Sequence, residues 1–142
     1  MRLWRVSKYL ELNGGGGLTY EGRWNTSGRR IVYSAETSAL AMLEMLVRVS
    51  RTRRPPPFQL LEIDAPDGLA LTEFGATPPE SIDESRTWGD RWLAKASTSL
   101  ARVPSVIAPK CFNYLINPAH SDAPKVSVIA QSRYPWDERL FR

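Results

Sequence analysis

Cysteine occurs once in this chain, at position 111, and histidine once, at position 120. A single cysteine excludes an intrachain disulfide and any multi-cysteine zinc site. A single histidine excludes an HExxH zinc motif, a His-rich metal site and a catalytic pair of histidines. No stretch approaches the roughly 20 apolar residues needed to cross a bilayer. The opening segment MRLWRVSKYLEL is interrupted by Arg2, Arg5, Lys8 and Glu11, which breaks any apolar region of the signal-peptide kind. A reducing, cytoplasmic location and no membrane partner are therefore expected. Internal repeats are absent, and biased tracts are confined to four glycines at 14–17 and three prolines at 55–57.

What is present fits an ordinary folded domain. The 142 residues are 42% hydrophobic and 24% charged, enough apolar material for a core with a pocket, and they suit one domain over 1–142. The net charge of +4 is unevenly spread: residues 1–54 carry ten basic and four acidic side chains, residues 55–142 nine and eleven. Two readings follow, an anionic ligand near the first third or a solvated basic surface.

Alternation at Leu3 to Ser7 predicts a strand, and Asn13 to Gly17 then breaks regular structure, predicting a mobile loop. Arg30 to Ser34 predicts a second strand feeding a helix from Thr37 or Ser38 to about Ser50. On that helix Leu40, Met42, Leu43, Met45, Leu46, Val47 and Val49 form a wide apolar arc, leaving Glu44 and Arg48 on a narrow polar stripe. Arg51, Arg53 and Arg54 lead into Pro55-Pro56-Pro57, which stops the helix. A strand is expected over Phe58 to Ile63, and 64–86 reads as a long surface excursion. A helix over Asp90 to Ser99 would align Trp88, Trp92 and Ala96 as core, with strands at Ser105 to Ala108 and Val126 to Gln131 and an aromatic, charged tail from Tyr134 to Arg142.

Glu44 poses the sharpest chemical question. Paired with Arg48 at i,i+4 it would be a surface ion pair worth about 0.2–0.5 kcal/mol; turned inward it would be a site carboxylate. Gly22-Arg23-Trp24-Asn25 follows the glycines, where a guanidinium can clamp a phosphate with two parallel hydrogen bonds or merely sit on a surface turn. NGGGG matches neither the GxGxxG dinucleotide fingerprint nor the P-loop. Cys111 lacks a Cys-His-Asn context and reads as a small apolar residue.

Residues 22–47, GRWNTSGRRIVYSAETSALAMLEMLV, resemble the opening signature of the RES domain family, named for arginine, glutamate and serine. The match combines Gly-Arg-Trp-Asn, a tyrosine ten residues after the arginine, a glutamate eleven after the tyrosine and the intervening Ser-Ala-Leu-Ala. Val103-Pro104-Ser105, Asn113-Tyr114-Leu115 and Asn117-Pro118-Ala119-His120 resemble the family's later motif, and Gly89-Asp90-Arg91-Trp92-Leu93 its preceding helix. The resemblance implies a compact single α+β domain similar to ADP-ribosyltransferases, with central twisted β-sheets and surrounding helices. It implies NAD as substrate, with no true cofactor and no metal, and a toxin that cleaves the nicotinamide–ribose bond. Arg23, Tyr33, Glu44 and Ser105 then take the central roles. Arg23 would hold the pyrophosphate or the adjacent ribose, Tyr33 would wall off a ring, Glu44 would face the ribose and Ser105 would supply one orienting hydrogen bond. Trp24, Asn25, Asn117 and His120 are further candidates for substrate contact, although Asn117 and His120 most simply brace a turn around Pro118. The chain departs from the family at Arg48, where histidine is frequent, and at Gly17, where alanine is common. The implied partner is a helix-turn-helix, Xre-like antitoxin, with an oligomeric complex and no direct nucleic-acid binding by the toxin. ADP-ribosyl transfer to a protein stays open, as do a ribonucleolytic or nucleic-acid-binding toxin using the arginines at 48, 51, 53 and 54 and a non-enzymatic binding module.

Overall fold

The amino-terminal alternation produces strand β1, Arg2–Ser7, in which Leu3 and Val6 are buried on opposite faces. The computed structural model describes residues 1–49, 57–134 and 136–141. The glycine segment does not stand free. Gly14 takes φ +70°, Gly16–Thr19 wind into a short helix α1, and the Gly17 carbonyl accepts the amides of Gly28 and Arg29 at 3.0 and 3.2 Å. A Cβ on Gly17 would collide with the Arg29 carbonyl, so the missing side chain is what lets the two segments touch.

Strand β2 covers Val32–Ala35. Helix α2, Ser38–Leu46, is capped by Thr37, whose hydroxyl accepts the Leu40 amide at 3.1 Å. It ends before the expected Ser50. The amides of Arg48 and Val49 already bond three residues back, to Met45 and Leu46, a tightening favoured by the β-branched valines on either side of Arg48. The end of the expected helix at Ser50, the arginines at 51, 53 and 54, and Pro55 and Pro56 lie outside the described residues.

Strand β3 is Phe58–Asp64. The excursion expected at 64–86 contains a short strand, β4, Leu71–Glu73, and the start of helix α3, Ile82–Lys95. Tryptophan spacing places that helix later than it begins. Its true start is a reciprocal cap: the Ser81 hydroxyl accepts the Glu84 amide at 3.1 Å while the Glu84 carboxylate accepts the Glu80 amide at 3.1 Å. The helix closes at Ala96 in the left-handed conformation, φ 50°. Strand β5, Leu100–Pro104, ends at the proline, and the expected strand does not start after it. The strand expected over Ser105 to Ala108 is a turn, and the unforeseen β6, Phe112–Ile116, follows. Strand β7, Ser127–Tyr134, runs longer than expected, and the aromatic tail is not a free appendage. Trp136 is only 2% exposed, with Phe58, Tyr134 and Phe141 edge-on around it.

The seven strands form one sheet in the order β4-β5-β6-β2-β1-β3-β7, antiparallel except for β4 with β5. This is an α+β fold. Between β1 and β2 the ladder is reduced to the single pairing Trp4↔Ala35, whereas β1 pairs with β3 along its whole length. The sheet therefore opens at its middle. One face buries Leu3, Val32, Leu61, Ile63, Leu100, Tyr114 and Ile116. The opposite face carries two separate apolar groups: Val6 and Ala35 pack with Leu40 and Ala41 of α2 and with Trp136, and Ala101, Val103 and Leu115 pack with Trp92 and Leu93 of α3 and with Trp24 and Ile31. Between these two groups, above β2 and β6, lie the polar residues of interest. Among the described residues no helix is long and apolar enough to cross a membrane.

Candidate active site

Glu44 does not pair with Arg48. Among the described residues no ion pair joins them, and the carboxylate turns toward the sheet instead, where Oε1 accepts the Ser105 hydroxyl at 2.8 Å and the Asn113 side-chain amide at 2.7 Å. The turn after Pro104 explains the direction of the first bond. Ser105 Oγ accepts the amides of Ile107 and Ala108 at 3.2 and 3.0 Å, so its lone pairs are taken and its proton is left for Glu44. Ser105 is thus a donor to the carboxylate and itself 3% exposed. Glu44 Oε2 accepts no hydrogen bond among the described residues.

Tyr33 lies on the same face of the sheet as Asn113, since β2 and β6 pair as Tyr33↔Leu115 and Ala35↔Asn113. Its hydroxyl donates to Asn25 Oδ1 at 2.5 Å and accepts the Trp24 amide at 3.0 Å. Those two bonds tie the strand to the turn that carries Arg23. That turn is closed by the Gly22 amide on the Asn25 carbonyl and on Asn25 Oδ1, at 3.1 and 2.9 Å. Arg23 projects from the tip, exposed and without a hydrogen bond or ion pair to any described residue. Helix α3 clamps the loop from behind: Arg86 Nε donates to the Gly22 carbonyl at 2.8 Å, and Asp90 accepts the Thr26 amide and hydroxyl at 3.0 and 2.6 Å. Over the Tyr33 ring lies the Arg48 guanidinium, 5.6 Å from the centroid. Arg5 reaches across the opening of the sheet to donate to the Tyr33 carbonyl at 2.7 Å, and its Nε has no partner among the described residues.

Burial pushes the Tyr33 phenol up to about 12, against the lowering effects of the Trp24 amide and of Arg48 and Arg86. Burial, helped by the Arg48 charge, presses Arg5 down to about 10. The phenol in the fold keeps its proton after the unfolded chain has released one at the ordinary value of 10.0, so Tyr33's contribution to stability is whole below that pH and is lost as pH rises toward about 12. Tyr33→Phe should remove a tyrosinate absorbance step centred near 12. A wild-type titration that already lacks this step would show that the phenol is not held as described.

The remaining candidates are placed differently. The Trp24 indole is 2% exposed and packs edge-on against Phe74 and Trp88, so its amide serves the site and its ring serves the core. Asn25 is 1% exposed with both side-chain atoms engaged, its Nδ2 on the carbonyls of Tyr20 and Thr26. Asn117 spans the Leu93 carbonyl and the Ala119 amide, and His120 Nδ1 accepts the Asp122 amide at 2.9 Å. Both brace the turn around Pro118, against which Gly14 packs. Cys111 is half-buried beside the α2 apolar group. The residues left out of the sequence-based site are Asn113, Arg5, Arg86 and Asp90. For Asn113 the signal is a polar residue between apolar neighbours on the inward face of a strand.

Comparison with known proteins shows the family to which the chain is similar. The RES domain family model matches residues 2–137. A protein of Pseudomonas putida named Toxin Res is 39% identical over 146 residues, spanning 99% of this chain and 100% of that one. The Prs ADP-ribosylating toxin of Sphingobium sp. is 37% identical over 141 residues, covering 93% and 88%. Among solved structures, a chain of the M. tuberculosis MbcT–MbcA toxin–antitoxin complex superposes with a TM-score of 0.72 at 14% identity, over 94% of this chain and 83% of that chain, which extends the likeness of fold alone. With the family model and relatives covering nearly its full length, and with the glutamate and serine of the signature hydrogen-bonded to each other, this chain belongs to the RES domain family.

Proposed function

We propose that the chain is the toxin of a toxin–antitoxin pair and that it breaks the nicotinamide–ribose bond of NAD, passing ADP-ribose to water or inorganic phosphate. The observation that carries this reading is the state of Glu44: a carboxylate held by two neutral donors on one oxygen, with the other oxygen open and no cation paired to it among the described residues. Cleavage of the bond builds positive charge on the ribose. An uncompensated carboxylate that grips ribose hydroxyls stabilises that charge more than it stabilises bound substrate. Nicotinamide is a competent leaving group, so neither a metal nor a general-acid histidine is required. Arg23 and Arg48, neither with an acidic partner among the described residues, suit the diphosphate. The Pseudomonas relative's name supports a toxin, and the Sphingobium relative's name supports one acting through ADP-ribosyl chemistry.

The Sphingobium relative's name also favours ADP-ribosyl transfer to a protein as a second reading. The proposed setting is the cytoplasm, where NAD is abundant. The structural neighbour's toxin–antitoxin assembly supports an antitoxin as the proposed partner, and the family resemblance implies one of the helix-turn-helix, Xre-like kind within an oligomeric complex.

Expression without antitoxin tests the reading. Growth should stop as cellular NAD falls, whereas arrest at undiminished NAD would contradict NAD cleavage and favour a nucleic-acid target. A radiolabelled protein band from adenine-labelled NAD would favour the transferase. At the level of one residue, Arg23→Lys keeps the charge but loses the planar fork. It should raise KM for NAD about 10- to 100-fold, the equivalent of a lost charge-assisted hydrogen bond of about 1.5–3 kcal/mol. Unchanged steady-state kinetics would remove Arg23 from the site.

A further inference from the structure

We propose that Asn113 is a positioning residue, whose side-chain amide fixes the Glu44 carboxylate so that Oε2 alone meets the substrate. The activity part of this proposal rests on the NAD-cleaving reading above; the geometry does not. Asn113 lies on β6 between its cross-strand partners Ala35 of β2 and Val103 of β5, an inward position that its neighbours fill with apolar side chains. Backbone pairing on both sides makes this one of the best-anchored places in the sheet. From it Nδ2 donates to Glu44 Oε1 at 2.7 Å, while Oδ1 accepts no hydrogen bond among the described residues. Holding Glu44 is thus the one polar contact the side chain makes within the described residues.

The choice of an amide follows from the chemistry. One donor would leave the carboxylate free to swing about that bond. Two donors on the same oxygen, from the Ser105 turn and from β6, fix its plane and make the two oxygens inequivalent. A lysine or arginine here would hold Glu44 as firmly but would cancel the charge that the ribose cation needs. Asparagine holds it and leaves the charge intact.

Asn113→Asp keeps the shape and exchanges the permanent donor for a titratable one. Two carboxylates within hydrogen-bond distance cannot both ionise easily, so the pair shares a proton until one ionisation is displaced upward. While the proton stays, the introduced carboxyl can still donate to Glu44; once it leaves, the two repel and Glu44 loses its orientation. The charged and titratable groups around the pair are Arg48 in the turn after α2, Arg5 on β1, Tyr33 on β2, Glu36, whose carboxylate accepts the Phe112 amide at 3.0 Å, and Cys111 before β6. None of them is hydrogen-bonded to Glu44 among the described residues.

Nicotinamide release should therefore acquire an alkaline limb in Asn113→Asp that the wild type lacks. Across that limb kcat should fall about 100-fold, the size expected when a reacting group is misplaced by about 1 Å, with KM changing less than about threefold. Asn113→Ala, which adds no charge, should lower kcat about tenfold with the wild-type profile shape. Independently of any substrate, carbon-13 NMR of the Glu44 carboxyl should show one ionisation step in the wild type and two coupled steps in Asn113→Asp, one of them displaced upward. A single, unmoved Glu44 step in a folded Asn113→Asp variant overturns the proposal. If Asn113→Asp does not fold, the alanine variant decides: unchanged kcat with a wild-type thermal transition overturns it. If the wild type releases no nicotinamide, the NAD reading fails while the carboxyl titration still judges Asn113.

Discussion

Glu44→Gln should fold like the wild type and lose about 100- to 1000-fold in the rate of nicotinamide release, the range seen when a preorganised electrostatic group is removed from a transition state. The structure explains why the two effects separate. The glutamine carbonyl can take the place of Oε1 and accept from Ser105 and Asn113 as before, so the tie from α2 to the Ser105 turn and to β6 is kept. What changes is the open position, where an acceptor carrying charge becomes a neutral NH2 donor that repels a ribose cation and cannot accept a ribose hydroxyl. Thermal unfolding close to that of the wild type, together with the rate loss, is the expected pair of results. A folded variant with near-normal turnover would return Glu44 to the role of an ordinary polar residue.

Gly89→Ala should be the most damaging conservative change in α3. A methyl group there would land on the Trp24 carbonyl, which belongs to the backbone and cannot swing aside. The gain in helix propensity, about 1 kcal/mol, is smaller than the strain of forcing helix and loop apart, about 1–3 kcal/mol or more. A drop in Tm of roughly 3–8 °C is expected for a chain of this size. The displaced loop also carries Arg23 and the Trp24 amide that holds Tyr33, so KM for NAD should rise even where the protein remains folded. A Tm equal to or above that of the wild type would show that α3 and the loop are less closely docked than described.

These two positions also show how far the sequence can be read. Glu44 is legible because an acid on the polar stripe of an otherwise apolar helix has only two destinations, and the family signature favours the inward one. Local pattern alone does not choose, because the donors that turn it inward, Ser105 and Asn113, are 61 and 69 residues away. Thr37 is legible as a cap, and β1 and β3 by their alternating or apolar runs. The start of α3 is obscured because the tryptophan spacing points further along the chain than the Ser81-x-x-Glu84 cap. Pro104 reads as closing a connection when it closes a strand, which hides β6 and, although Asn113 stands in the family motif, the place from which it meets Glu44. Trp24 and Asn25 carry the family motif, yet burial gives one to the core and the other to the turn. Which half of a motif contacts substrate and which half holds the backbone is decided by tertiary packing that spacing does not encode.

In the proposed reaction the Glu44 carboxylate, held by Ser105 and Asn113, drives the cleavage of NAD. The purified chain, free of any partner, is incubated with NAD and the products are separated in the presence and absence of inorganic phosphate. Free nicotinamide should appear in step with NAD loss, with the ADP-ribose product reporting water or phosphate as acceptor. NAD left intact by a folded protein whose expression still arrests growth would contradict it.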